Sequence, residues 1–513
     1  MRLYTALIVL VLSRFAVGAP PASEWVHPDA AGKLVYKTTD RGDRILDFSY
    51  AGYRSGGVAL PDVPVVKTLS PTGGADDSPA IQVALDEIGN RPIKNGFRGA
   101  LLLKPGVFNC ASAITIKSTG VVLRGSGSGS DSGTILKLSG AAHVGISMGG
   151  NVPIRPTGQS VAITDAYVPA GSISFHVSDI AGFAAGDAVV INHPATPQWV
   201  EFMGMDNLVR NGKKENWVSG PILAERKIKA VAGNQITLDV PLADSYDAKY
   251  LSPPGASMSH AMSDRRISEV GVERLRIISP PQAVGITDKH YSGIHLGAVE
   301  DAWVRDVALV DMVGSISVAS AARRVTAEDV TLSHTVPTVG AAKPADLSAD
   351  GSQILFRNCK GDGANLFYFV TGARVTGPIV LLDCTFTGTG WIQPHQRWAT
   401  GLLCDNCQVP NGGIEFMNRG QMGSGHGWTI GWSVAWNCQA KSLTFQNPPG
   451  AINWAIGCVG ERKLEAMPFT KEPKIPEGTM ESNSTTVGPK SLYRAQLRER
   501  LGSAAVQNVD TER

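Results

Sequence analysis

Ile379-Val380-Leu381-Leu382-Asp383-Cys384, Leu402-Leu403-Cys404-Asp405-Asn406-Cys407 and Ser433-Val434-Ala435-Trp436-Asn437-Cys438 are short β-type segments, each closed by Asp or Asn followed by Cys. Working outward, the apolar or Cys position recurs at Leu275, Val307, Val330, Cys359, Cys384, Cys407, Cys438 and Cys458, at intervals of 32, 23, 29, 25, 23, 31 and 20 residues. Periods of this size mark a solenoid, and β segments bounded by Gly and Asn make it a parallel β-helix with one coil per interval. Unequal intervals place loops of unequal length on a shared frame, and loops carry function. The Asp and Asn residues of the ladder are read as chain-turning structure rather than as catalysts.

Upstream, Ser78 is expected to cap a short amphipathic helix carrying Ile81, Leu85 and Ile88, with Pro79 in its first turn and Gly89 as stop. Short β segments follow at 101–103, 114–116 and 121–123. Thr72-Gly73-Gly74-Ala75-Asp76-Asp77 and its sequel resemble the entry to secreted pectate-lyase-like β-helix proteins over residues 43–140. That resemblance implies an all-β, right-handed parallel β-helix with an N-terminal capping helix. It also implies work on polysaccharides, but members of that group share no single active site.

Residues 160–250 have a different texture, with strands at 174–177, 186–191 and 235–239 that suggest an inserted antiparallel subdomain. A stretch with Trp199, Arg210 and Trp217 interrupts them, either overhanging a groove or packing its own tryptophans. The expected organisation is a signal peptide over 1–19, cap and first coils over 43–150, the insertion over 151–265, main coils over 266–460, and a tail over 461–513. In that tail Tyr493, Leu497 and Leu501 form one stripe of a helix stopped by Gly502, read as a cap on the solenoid end.

The leading segment, Arg2 followed by apolar residues from Leu3 to Leu12 and then Ala16 to Ala19, implies a secreted or periplasmic protein. No later run suggests membrane insertion. With 47 basic and 45 acidic side chains, net +2, no global field selects nucleic acid, so an anionic ligand must be held locally. Only 18% of residues are charged, while Gly numbers 57 and Pro 31, which favours short strands and turns. The seven cysteines point first to disulfides, but five fall on one coil position and read as stacked buried thiols, with bonds between neighbours left open. A monomer is expected.

The richest polar sequence is Gln393-Pro394-His395-Gln396-Arg397-Trp398 and, one coil on, Arg419 through Gly425-His426-Gly427-Trp428. His395 and His426 both lie 11 residues before a ladder residue, and Arg374 and Arg397 both lie 9 before one. In register, two imidazoles and two guanidiniums share a face. Positive charge keeps an imidazole neutral, and arginine grips a carboxylate bidentately. These are the two services that β-elimination at a uronic acid requires. The candidate catalytic set is therefore His395, His426, Arg397 and Arg374. Trp398, Trp428, Arg419 and Gln393 are candidates for binding an acidic polysaccharide. Uronate lyases often use calcium, but no compact carboxylate cluster stands out, and no metal ligand is assigned. The Gly425-His426-Gly427 segment also resembles the Gly-His-Gly of polygalacturonases, with Asp405-Asn406-Cys407 where that family has Asp-Asp-Cys. This implies, as the alternative, a hydrolase; since Asn406 stands where that family has its second aspartate, the pair would be altered, with Asp405 and Glu415 the nearby carboxyl candidates. A non-catalytic carbohydrate-binding solenoid is the third possibility.

Overall fold

The computed structural model describes residues 20–262 and 265–510. The signal peptide expected over 1–19 lies outside the described residues. A 27-stranded sheet, parallel at every pairing, winds through the described chain. The fold is a parallel β-helix with three faces.

The first face runs from Val65–Leu69 through strands such as Gly99–Leu103, Ser352–Arg357 and Ala399–Asp405 to Thr479–Glu481. The second is a stack of shorter segments that includes Gly106–Cys110 and Thr385–Phe386. The third includes Ser292–Leu296, Phe367–Thr371, Trp391–Ile392 and residues 413–416.

The Asp/Asn ladder is the corner between first and second faces. Asp306, Asp329, Asn358, Asp383, Asn406 and Asn437 all have φ between 49° and 58°. Asn and Asp tolerate this left-handed conformation better than other side chains with a Cβ. Their side chains also tie coil to coil, with Asn358 Nδ2 donating to Asp329 Oδ1 at 2.6 Å and Asn406 Nδ2 to Asp383 Oδ1 at 2.7 Å. One residue further on, the apolar column enters the core. All seven cysteines are free and buried, and Cys407 N donates to Cys438 Sγ at 3.4 Å. Burial pushes the Cys110 thiol up to about 12 and holds Cys407 and Cys458 well above the usual range.

One residue before the corner, the outward position carries a column of alternating charge: Arg124, Glu273, Arg305, Glu328 and Arg357. Glu273 is fully buried and pairs with Arg124 and Arg305, each at 2.5 Å, while Arg357 meets Glu328 at 3.2 Å. Two coils later the same position is Asp405.

The outer side of the first face is apolar along Leu355, Val380, Leu403 and Val434, so these strands lose the in-out alternation of a half-buried sheet. The insertion, the N-terminal arm and the C-terminal helix cover them in a second core. The insertion is built on a six-stranded antiparallel sheet spanning residues 156–261, and it leaves between adjacent coils. Val144–Met148 still pairs in parallel with Ser292–Leu296, the second strand after the chain returns.

Helix α1, Ser78–Gly89, covers the N-terminal end with Ile81, Leu85 and Ile88 buried. Its cap residue is Asp77 rather than Ser78, which opens the first turn. Asp77 spends its carboxylate on Thr72 and on Asn109 N, stapling the preceding loop to the coil. Helix α2, Leu492–Leu501, does not cap the far end as its sequence suggests. It lies along the first face, where Asp405 Oδ2 accepts from Ser491 Oγ at 2.7 Å and Tyr493 N at 2.8 Å, and Tyr493 Oη donates to Ala51 O. Tyr493 and Leu497 are buried but Leu501 is exposed, so the apolar stripe ends a turn early. Among the described residues no helix is long and apolar enough to cross a membrane.

Candidate functional site

With the first face covered, the outer side of the third face remains open. There Phe367 and Trp391 occupy one register column on adjacent coils. Gln393 and Glu415 follow Ile392 and Ile414, which are themselves paired. The chain then turns at 393–398 and 417–428 toward the first face. A cleft of about 490 Å³ lies here, lined by Phe367, Trp391, Gln393, His395, Glu415, Arg419 and His426 from the coils, with Lys343, Arg210 and Phe469 on its rim.

The pairing of Ala399 with Ile430 sets the same 31-residue offset that separates His395 from His426. The two rings stand with centroids 4.8 Å apart. Arg419 Nη1 lies 2.7 Å from His395 Nδ1 and 2.9 Å from His395 O. A guanidinium only donates, so His395 Nδ1 accepts and its proton sits on Nε2. His426 Nδ1, Gln393 Oε1 and Arg419 Nε are buried without a hydrogen-bond partner among the described residues. Such groups are costly unless a ligand or water meets them.

Burial, then Arg419, then the neighbouring ring push His395 down to about 3. Burial and Arg419, with Arg397 and Arg210 behind them, do the same to His426. Both imidazoles are neutral at neutral pH. Arg419 is pushed down to about 10 by burial and stays charged. Glu415, half-buried and accepting from Gln393 Nε2, is raised by burial.

His426 is held by a turn that only glycine permits. At Gly423 φ is +60°, and a Cβ there would lie 2.1 Å from His426 Nε2. At Gly427 a Cβ would lie 2.3 Å from Trp217 of the insertion. Gly425, with φ of +78° and a Cβ position 2.7 Å from Glu215, completes the close packing that accounts for the Gly-His-Gly segment.

Five assignments made from sequence change. Arg374 does not join the group: it is exposed, and Nη1 reaches Pro221 O of the insertion at 3.3 Å, on the far side of the corner. Arg397 does not line the cleft either. Its Nη2 binds Ser424 O at 2.7 Å and Ser424 Oγ at 2.5 Å, bracing the turn that carries His426. Trp398 and Trp428 are not open platforms but are buried against the insertion. Trp398 Nε1 donates to Asp244 at 2.7 Å, and Trp428 Nε1 donates to Met203 O at 3.1 Å. Asp405 is fully buried under α2, across the wall from the cleft. Of the expected residues, the cleft brings together His395, His426, Arg419, Gln393 and Glu415.

Sequence reading missed Trp391, Phe367, Phe469 and Lys343, and placed Arg210 only as a residue that could overhang a groove. Lys343 Nζ sits 3.9 Å from the Trp391 ring centroid, and Arg210 Nη1 donates to Gly423 O at 2.7 Å. Trp391 was findable as the outward neighbour of Ile392. Lys343 and Arg210 come from loops whose paths the repeat does not determine. Trp199 and Trp217 stack on each other in the interface core, with ring centroids 4.9 Å apart.

Among the described residues no group of three or more His, Cys, Asp and Glu side chains is placed to hold a metal ion. Calcium takes six to eight oxygens. One carboxylate already bonded to Gln393 does not fit that demand.

No family model matches the chain, and no curated protein matches it in sequence. Solved structures similar to it include the tailspike of Acinetobacter baumannii bacteriophage AP22 in complex with capsular saccharide. That match has 10% identity, 80% of this chain, 73% of that one and a TM-score of 0.31. The A-module of the Azotobacter vinelandii mannuronan C-5 epimerase AlgE6 matches at 11% identity, 81% and 97% coverage, TM-score 0.36. The tailspike of E. coli bacteriophage HK620 with pentasaccharide matches at 9%, 86% and 62%, TM-score 0.39. At these values no assignment rests on them, and the fold stands on the pairing described above.

Proposed function

We propose that the cleft on the third face binds an acidic polysaccharide outside the cytoplasm and cleaves it by β-elimination, the protein acting as an exported monomer whose site residues come from one chain. The observation that carries this reading is the pair of neutral imidazoles beside a partly buried guanidinium, with a single carboxylate in the lining.

Arg419 and the Nε2–H of His395 would bind the uronate carboxylate, drawing off charge and acidifying the C–H next to it. His426, whose ring lines the cleft beside His395, would take that proton. The electron pair forms the ring double bond, the C–O bond to the neighbouring sugar breaks, and the proton held by His426 passes to the departing oxygen, which returns the imidazole to its neutral form. The free imidazole is a weak base, but its weakness comes partly from Arg419. A bound carboxylate offsets that charge and raises the basicity of His426 when substrate is present.

Hydrolysis is the second reading, and it needs an acid and a base flanking the bond. Among the described residues Glu415 is the one carboxyl group lining this cleft, Asp350 lies in the cavity adjoining it, and Asp405 is walled off. The experiment is a polysaccharide panel read for the ultraviolet absorbance of unsaturated uronates, with and without chelator. Absorbance that depends on His426 and survives chelation supports elimination without calcium. New reducing ends without absorbance refute it in favour of hydrolysis.

A further inference from the structure

A second cavity, of about 370 Å³, adjoins the cleft and shares Ile286, Lys343, Phe367 and His395 with it. Each is within the range of about 300–1,000 Å³ typical of ligand sites. The two therefore form one groove along the outer third face, with His395 and Lys343 at the junction. Their chemistry differs. The arm toward the later coils carries Arg419 and Arg210 in addition to the shared lysine. The other arm adds no lysine or arginine. It offers Ser348, Gln396, His290 and the carboxylate of Asp350, which accepts from Gly372 N at 2.7 Å and whose ionisation desolvation raises from its usual value.

Given the proposed lyase site, we infer that this groove selects a heteropolysaccharide with neutral sugars next to the uronate, and that Asp350 disfavours a homopolyuronate. A uronate repeated along the whole chain would place a second carboxylate in the arm that has no added cation and already holds Asp350. Two like unit charges roughly 4 Å apart in water cost about a fivefold change in affinity. A neutral sugar there loses nothing and gains hydroxyl partners. Polymer on both sides of His395 also means that cleavage is internal.

The test is calorimetric binding to the His426→Ala protein, using polygalacturonate and polymannuronate against hyaluronan and chondroitin, in which uronate alternates with a neutral aminosugar or carries it as neighbour. Unsulfated chondroitin is used. The alternating polymers should bind at least about fivefold tighter than the homopolyuronates. Asp350→Asn, and separately Ser348→Lys, should each raise homopolyuronate affinity by about that factor while leaving hyaluronan little changed. Equal or tighter homopolyuronate binding that neither substitution alters overturns the inference. If Arg419→Ala still abolishes binding in that case, the cleft remains the site and only its selectivity is wrong. If no acidic polymer binds and Arg419→Ala changes nothing, the underlying site assignment fails and this inference with it.

Discussion

Replacing Asp405 by Asn separates a structural carboxyl from a catalytic one. The side chain is fully buried, and Oδ2 accepts from Ser491 Oγ and Tyr493 N while Oδ1 has no partner among the described residues. Burial pushes its ionisation up to about 7, from an unfolded value near 4. A carboxyl whose value is higher folded than unfolded supports the fold fully below about pH 4 and withdraws that support as pH rises through 7. At about 1.4 kcal/mol per pH unit, the loss across that window is on the order of 4 kcal/mol. Asn keeps the shape and an accepting oxygen but does not ionise. Urea unfolding at pH 4.5 and pH 8 should therefore show a smaller loss of stability in Asp405→Asn than in the parent. Asp244, also buried and pushed up to about 7, titrates in both proteins and cancels in the comparison. Activity of the folded variant should be unchanged. Parallel stability curves would refute the burial argument, and a folded but inactive variant would return Asp405 to the catalytic candidates.

Four further outcomes are expected. Gly423→Ala drives a methyl into the His426 ring at a position with φ of +60°, so it should cut turnover at least tenfold at a stability cost of about 1–2 kcal/mol, measured by kinetics and thermal unfolding side by side. Because His395 and His426 both sit at about 3 in the free protein, kcat/KM should show no acid inflection near pH 6.5 and fall only below about pH 4; an inflection between pH 6 and 7 that disappears in His426→Ala would contradict this. Trp391→Ala should raise KM about fivefold through loss of roughly 1 kcal/mol of stacking. Trp398→Phe, which strips a donor from buried Asp244, should instead cost about 1–3 kcal/mol of stability with KM unchanged.

The fold was legible because its corners are written in the sequence. The left-handed corner favours Asn or Asp, although Arg274 and Gly457 fill it in two coils, and the next residue must enter the core, so Asp383-Cys384, Asn406-Cys407 and Asn437-Cys438 announce the period. The histidine pair was legible for the same reason, since equal offset from the corner means equal height on neighbouring coils. Direction was not. Arg374, Arg397 and Trp398 have φ of 61°, 53° and 66°, and each left-handed residue breaks the two-residue alternation that assigns a side chain to one side of the wall. Trp398 thus points into the insertion interface while His395, three residues earlier, faces the cleft. Asp405 misled for a different reason. It occupies the outward charge column of Glu328 and Arg357, and a segment 86 residues later folds back to cover it.

The most direct test of the account is turnover by His426→Ala and Arg419→Ala proteins, shown to be folded, on a polysaccharide from which the parent releases unsaturated uronate. Loss of about 10²–10⁴-fold in kcat for His426→Ala, with Arg419→Ala impaired on the free acid but not further on its methyl ester, is the predicted result. Near-parental turnover in both variants would contradict it and leave the cleft without a catalytic role.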